Sequence, residues 1–109
     1  MKANYLLAVA AAALAVCLPV RAAVDVDAAT KASKDNGCTK CHSVDKTKKG
    51  PAYQKVAAKY KGKSEAEAKL TEFLTSSPKV KLEDGTEEEH KALKDPKQMN
   101  NLIKWVLSL

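Results

Sequence analysis

The pentapeptide Cys38-Thr39-Lys40-Cys41-His42 decides how the rest of this chain is read. Two thiols three residues apart, followed at once by an imidazole, have the C-x-x-C-H spacing of covalent haem attachment. The chemistry explains the spacing. Two sulfurs must reach the two vinyl groups along one side of a porphyrin and form thioethers, and the adjoining His42 can then turn under the ring to bind iron from the proximal side. Covalent bonds also keep a large planar group in a domain too small to enclose it by packing alone. Two other chemistries use closely spaced cysteines. A thioredoxin-like pair belongs beside a βαβ unit, and strand-like alternation is hardly present here. A zinc site needs four ligands. Past the N-terminal leader, Cys38, Cys41, His42 and His90 are the whole supply of Cys and His, and adjacent Cys41 and His42 are badly placed to chelate one tetrahedral ion.

Upstream of the motif, the chain begins like an exported protein. Lys2 gives a positive start, Leu6 to Val20 is an almost unbroken apolar run, and Val20-Arg21-Ala22 places small residues at the −3 and −1 positions of a cleavage site. This is the layout of a secretory signal peptide, and the run is short for a membrane span. Cleavage is expected after Ala22, which makes residues 1–22 a removed leader and residues 23–109 one domain. The rival is an uncleaved N-terminal anchor. Cys17 hints at a lipoprotein, but Val stands where a small residue is wanted in Leu14-Ala15-Val16-Cys17, so Cys17 is expected to leave with the leader. The expected location is therefore the periplasm, with no stable membrane span after processing. Removing Lys2 and Arg21 leaves 17 basic side chains against 13 acidic ones. That mild excess allows docking to an acidic partner. Nucleic-acid readers lean on Arg and stacking aromatics, and the remaining chain has no Arg and only Tyr53, Tyr60, Phe73 and Trp105, so no nucleic-acid partner is expected.

Downstream and upstream of the motif the punctuation separates short helices, and the fold class is all-α. Residues 25–36 form a first helix stopped by Gly37. Residues 43–51 are a Lys-rich loop. A second helix runs from Ala52 to Tyr60 and ends near Gly62. Ser64 with Glu67 forms a capping box for a third helix whose apolar positions are Ala66, Leu70, Phe73 and Leu74. Residues 78–85 read as a loop ending in Asp84-Gly85. Thr86 with Glu89 reads as another capping box, opening a short helix from Glu87 to Lys94. Asp95 caps the last helix, with Pro96 at its first position. Met99, Leu102, Ile103 and Val106 then lie on one stripe with Trp105 beside it.

With these residues in view, the chain resembles the small bacterial class I cytochromes c. The likeness extends past the motif to Lys49-Gly50-Pro51-Ala52-Tyr53, to Val56-Ala57-Ala58-Lys59-Tyr60 and to Leu102-Ile103-Lys104-Trp105-Val106-Leu107, and it covers nearly all of residues 26–109. The resemblance implies a fold of four to five short helices around one covalently bound haem c, with the first and last helices crossing over one haem edge. It also implies that the carbonyl of Pro51 accepts a hydrogen bond from the His42 ring, which would orient the imidazole and raise its basicity. Taken alone, Gly50-Pro51 is a plain turn.

The sequence leaves the family pattern at the second axial ligand. Members normally use a Met in the loop between the third and last helices. Here the one Met past the leader is Met99, six residues before Trp105, inside the last helix and on its core stripe. His90 lies 15 residues before Trp105 and 48 after His42, close to where the Met would fall. The plain reading of His90 is a solvent-facing residue on a charged helix beside Glu87, Glu88 and Glu89. The vacancy on the iron favours ligation instead, so His42 and His90 are the expected metal ligands. Imidazole donates to oxidised iron more strongly than thioether sulfur, so this pair lowers the reduction potential relative to His/Met.

The expected function is single-electron transfer between a redox protein donor and acceptor, among them a larger redox enzyme or a partner cytochrome. It needs no side chain acting as acid, base or nucleophile, so no enzyme activity is expected. The alternative is a haem-based gas-binding or sensor protein in which the distal ligand is displaceable. The lysines at 46, 48, 49, 55, 59, 61 and 63 steer an acidic partner on one reading and merely keep the surface solvated on the other.

Overall fold

The computed structural model describes residues 12–17 and 23–109. Most of the expected leader therefore lies outside the described residues; the short piece 12–17 has no regular structure, and its side chains are exposed. Among the described residues no helix is long and apolar enough to cross a membrane.

Four helices carry the domain: α1 (Val26–Asp35), α2 (Tyr53–Tyr60), α3 (Ala66–Ser76) and α4 (Pro96–Leu107). A 3-10 turn covers Cys38–Lys40 between α1 and α2. Helix α4 is the centre, and α1, α2 and α3 all pack against it. Its stripe of Met99, Leu102, Ile103, Trp105 and Val106 is buried, together with Ala29, Tyr53 and Leu93. Each large apolar side chain so placed contributes about 1.5–3 kcal/mol relative to exposure. Ala29 on α1 is small and 1% exposed, which lets α1 approach α4 closely. The two helices are also tied end to side. The Asp25 N–H donates to Asn101 Oδ1 at 3.0 Å, and Asn101 Nδ2 donates to the Asp25 carbonyl at 2.8 Å.

The caps explain the helix limits. The Asp25 carboxylate accepts from the Ala28 N–H at 2.9 Å and starts α1. Gly37 takes φ 73 beyond its end, a left-handed conformation that suits glycine. The Asp95 carboxylate accepts from the N–H groups of Lys97 and Gln98, with Pro96 at the first position of α4, as the sequence implies.

Two local expectations are corrected. The Ser64–Glu67 capping box does not form. Helix α3 begins at Ala66 after Glu65, and no side chain caps it. Backbone acceptors serve there instead: Ala66 N–H bonds to the Lys63 carbonyl and Lys69 N–H to the Glu65 carbonyl. The larger correction concerns 78–94. The expected loop and short helix are instead an antiparallel hairpin, β1 (Lys79–Lys81) with β2 (Glu87–Glu89), followed by a stretch without regular structure up to Asp95. Asp84-Gly85 is the hairpin turn, with Gly85 at φ 85. The Asp84 carboxylate accepts from both the N–H and the hydroxyl of Thr86, at 3.0 and 2.6 Å, so the Thr86 hydroxyl is spent on the turn and caps no helix. The register sets Lys79 opposite Glu89 and Lys81 opposite Glu87. In both of these pairs a lysine stands across from a glutamate, an opposite-charge cross-strand arrangement.

Candidate haem site

The attachment motif is folded tightly. Within it, the Cys41 and His42 N–H groups both donate to the Cys38 carbonyl, at 3.1 and 2.9 Å. Both cysteines of this turn are half-buried. Burial pushes the Cys38 thiol above its ordinary pKa, opposed by hydrogen bonds to its own backbone and to Ser33.

His42 is held from several sides. Its Nδ1–H donates to the Pro51 carbonyl at 2.7 Å, which leaves Nε2 free to bind a metal. The loop that brings Pro51 there is stitched by Gly50 N–H to the Cys41 carbonyl at 2.9 Å and by Lys48 N–H to the Gly50 carbonyl at 3.0 Å. Gly50 lies so close that an added Cβ would sit 2.8 Å from His42 Cε1. The Tyr53 ring stacks on the imidazole, with centres 5.2 Å apart and planes at 22°. Tyr53 is fixed in turn by Ser33 Oγ, 2.7 Å from its hydroxyl, and by Trp105 in an edge-on contact at 5.6 Å. Its phenol is buried, and that burial first of all pushes its pKa up to about 12.

His90 lies opposite. It follows β2, and its N–H donates to the Pro78 carbonyl at 2.9 Å, so the expectation of a helical His90 is corrected to an extended one. The two imidazole centres are 6.0 Å apart, with planes at 50°. His90 Nδ1–H donates to the Lys91 carbonyl at 2.9 Å, which again leaves Nε2 free. The edge-on Phe73 ring sits 4.8 Å from the imidazole. Burial holds the His90 imidazole below its ordinary pKa, and the neighbouring His42 acts the same way while the Lys91 carbonyl opposes it. The result favours the neutral form, which is the one that binds metal.

This spacing fits a single metal ion between the rings. Imidazoles on opposite faces of one ion have bonds of about 2 Å, facing nitrogens ~4 Å apart and ring centres on the order of 6 Å apart. Among the described residues no group of three or more His, Cys, Asp or Glu gathers around one point. His42 and His90 could therefore hold an ion that brings further donors of its own, and a haem iron held there would supply one-electron chemistry. Met99, by contrast, is buried in the core cluster with Leu102, Ile103 and Val106. Two hollows of the surface, about 540 and 290 Å³, are lined by neither His42 nor His90.

A helical domain built on a C-x-x-C-H turn whose imidazole is oriented by a backbone carbonyl defines the class of small single-haem cytochromes. Comparison with known proteins agrees. Residues 26–109 match the Cytochrome c family, and the chain belongs to that family. It is similar to the class 1 cytochrome MtoD from Sideroxydans lithotrophicus ES-1, at 54% identity and a TM-score of 0.76, over 79% of this chain and 97% of that one. Cytochrome c552 of Nitrosomonas europaea superposes with a TM-score of 0.62 at 25% identity, over 73% and 98% of the two chains. Cytochrome c2 of Rhodocyclus tenuis is 35% identical over 71% of this chain and 87% of its own length. Cytochrome c-551 of Pseudomonas aeruginosa is 46% identical over a shorter match, 38% of this chain and 39% of its own length. The chain is thus a class I cytochrome c with the cytochrome c fold, one covalently bound haem c and the electron-transfer role of its family.

Sequence reasoning named Cys38, Cys41, His42 and His90 as site residues, and the family resemblance added the Pro51 carbonyl at the His42 ring, but the other supports were not named. Tyr53, Ser33, Phe73 and the Lys91 carbonyl act through tertiary contacts that leave no local pattern. Gly50 had a visible signal, a glycine just before the proline of the loop, which alone reads as a turn.

Proposed function

We propose that this protein is a low-potential, bis-His electron carrier of the periplasm. In this reading residues 1–22 are removed, Cys38 and Cys41 hold the haem through thioethers, and His42 and His90 ligate its iron. The haem supplies a one-electron couple between ferric and ferrous iron. The protein's part is to fix both imidazoles and present the haem edge to a redox protein donor and acceptor. The observation that carries the reading is the 6.0 Å separation of the two imidazoles, each with Nδ1 on a backbone carbonyl. A carbonyl at Nδ1 fixes the tautomer and raises the ligand's basicity, and two such ligands favour ferric iron. The burial of Met99 in the α4 stripe supports packing as its role. Because His90 is also held at the Pro78 carbonyl and by Phe73, the geometry favours a carrier over a sensor with a loose distal ligand.

The test is carbon monoxide added to the reduced protein. The wild type and Met99→Leu are expected to keep their spectra. His90→Ala is expected to bind the gas rapidly and to show a raised reduction potential. Unchanged spectra and potential in His90→Ala would refute the ligand assignment, and rapid binding by the wild type would favour the sensor.

A further inference from the structure

Phe73 is the one phenylalanine of the chain, and it sits apart from the core. Its helix neighbours Leu70 and Leu74 pack inward, while 37% of the Phe73 surface is exposed. A single exposed apolar side chain is ordinary and needs no explanation. Its contact is informative. The Phe73 and His90 rings meet edge-on, with centres 4.8 Å apart and planes at 69°, a geometry that aromatic pairs favour.

The surroundings show what this contact restrains. The segment carrying His90 is tied to the end of α3 through main-chain bonds, His90 N–H to the Pro78 carbonyl and Leu93 N–H to the Leu74 carbonyl. The imidazole itself has one hydrogen bond, at Nδ1 to Lys91. One such bond leaves the ring able to rock about that point, and an aromatic edge against it stops the rocking. Phe73 also borders the hollow of about 290 Å³ lined by Tyr60, Lys69, Glu72, Ser76 and Pro78, which His90 does not line. Removing the Phe73 ring would give the imidazole room on that side.

We propose that Phe73 is a positioning residue for the distal ligand, fixing the plane of the His90 ring and slowing its departure from the iron. This inference rests on the bis-His reading above. It makes the rate at which outside ligands reach ferric iron a property of α3 as well as of His90.

The test compares cyanide binding to the ferric holoprotein, followed by stopped flow, in the wild type, Phe73→Leu and Phe73→Tyr, with electron paramagnetic resonance spectra of each. Phe73→Leu is expected to bind cyanide about twofold to tenfold faster, the range that one aromatic contact of this kind supplies. Its g values should shift as the ring plane is released. Phe73→Tyr should restore both, which a loss of general stability would not explain. Unchanged rate and g values in Phe73→Leu, with a bis-imidazole wild type, overturn the role of Phe73 alone. A methionine-ligated wild type overturns the underlying reading and this inference with it.

Discussion

A methyl group on Gly50 would begin 2.8 Å from Cε1 of His42 and 3.2 Å from its Nδ1, closer than such atoms approach without displacement. The imidazole is also stacked by Tyr53, which Ser33 and Trp105 hold in place, and its Nδ1 is bonded to the Pro51 carbonyl, so the ring is not free to shift. Gly50→Ala is therefore expected to destabilise the holoprotein by about 1–3 kcal/mol, the usual cost of overpacking. The same variant should alter its low-spin paramagnetic resonance spectrum. Thermal unfolding and that spectrum check it; wild-type values for both would show that the loop yields freely. At this scale the sequence was informative where chemistry demands a fixed spacing. Cys38, Cys41 and His42 are read from one pentapeptide, and His90 from its distance to His42 and Trp105. It was silent where a side chain acts on another across the fold. The Lys91 carbonyl beside His90 has no signature, because every residue carries a carbonyl.

Between residue and molecule, the helices were legible from their ends. Asp25 and Asp95-Pro96 mark the starts of α1 and α4, and Gly37 and Gly62 mark where α1 and α2 stop. The β1–β2 hairpin was not. Its strands are Lys-Val-Lys and Glu-Glu-Glu, almost without apolar residues, so the alternation that announces a strand is absent. The Asp84-Gly85 turn sets the hairpin, and its register places Lys79 opposite Glu89 and Lys81 opposite Glu87. The Thr86 N–H and hydroxyl hold the Asp84 carboxyl below the usual carboxylate range, chiefly through the hydroxyl. A carboxylate with a lowered folded-state pKa favours the folded form above its unfolded value, 3.8 here, and loses that contribution as pH falls through the lower folded value. Acid should accordingly loosen the hairpin turn. Amide exchange at Leu82, whose N–H donates to the Thr86 carbonyl at 2.8 Å, is the probe. Its protection relative to the α4 core is expected to drop on acidification in the wild type, and to be low and pH-independent in Asp84→Ala. Equal pH response in both would remove Asp84 from the account.

For the molecule as a whole, residues 23–109 form a helical domain wrapped around α4, and the attachment turn lies just after α1. The leader is a separate matter: its expectation rests on residue order alone, so it is tested on the exported protein. The mature mass should equal that of residues 23–109 plus one haem, with Ala23 at the N-terminus. A mass retaining residues 1–22 would indicate an anchor. The net charge of +6, falling with removal of Lys2 and Arg21, suits association with an acidic redox partner without requiring it. In the proposed reading the second iron ligand is His90, which follows β2, while Met99 stays buried in the core with the α4 stripe. The near-infrared spectrum of the ferric holoprotein tests that claim most directly. The account predicts a low-spin, bis-imidazole spectrum without an iron–methionine charge-transfer band. A clear iron–methionine band in the wild type would contradict it.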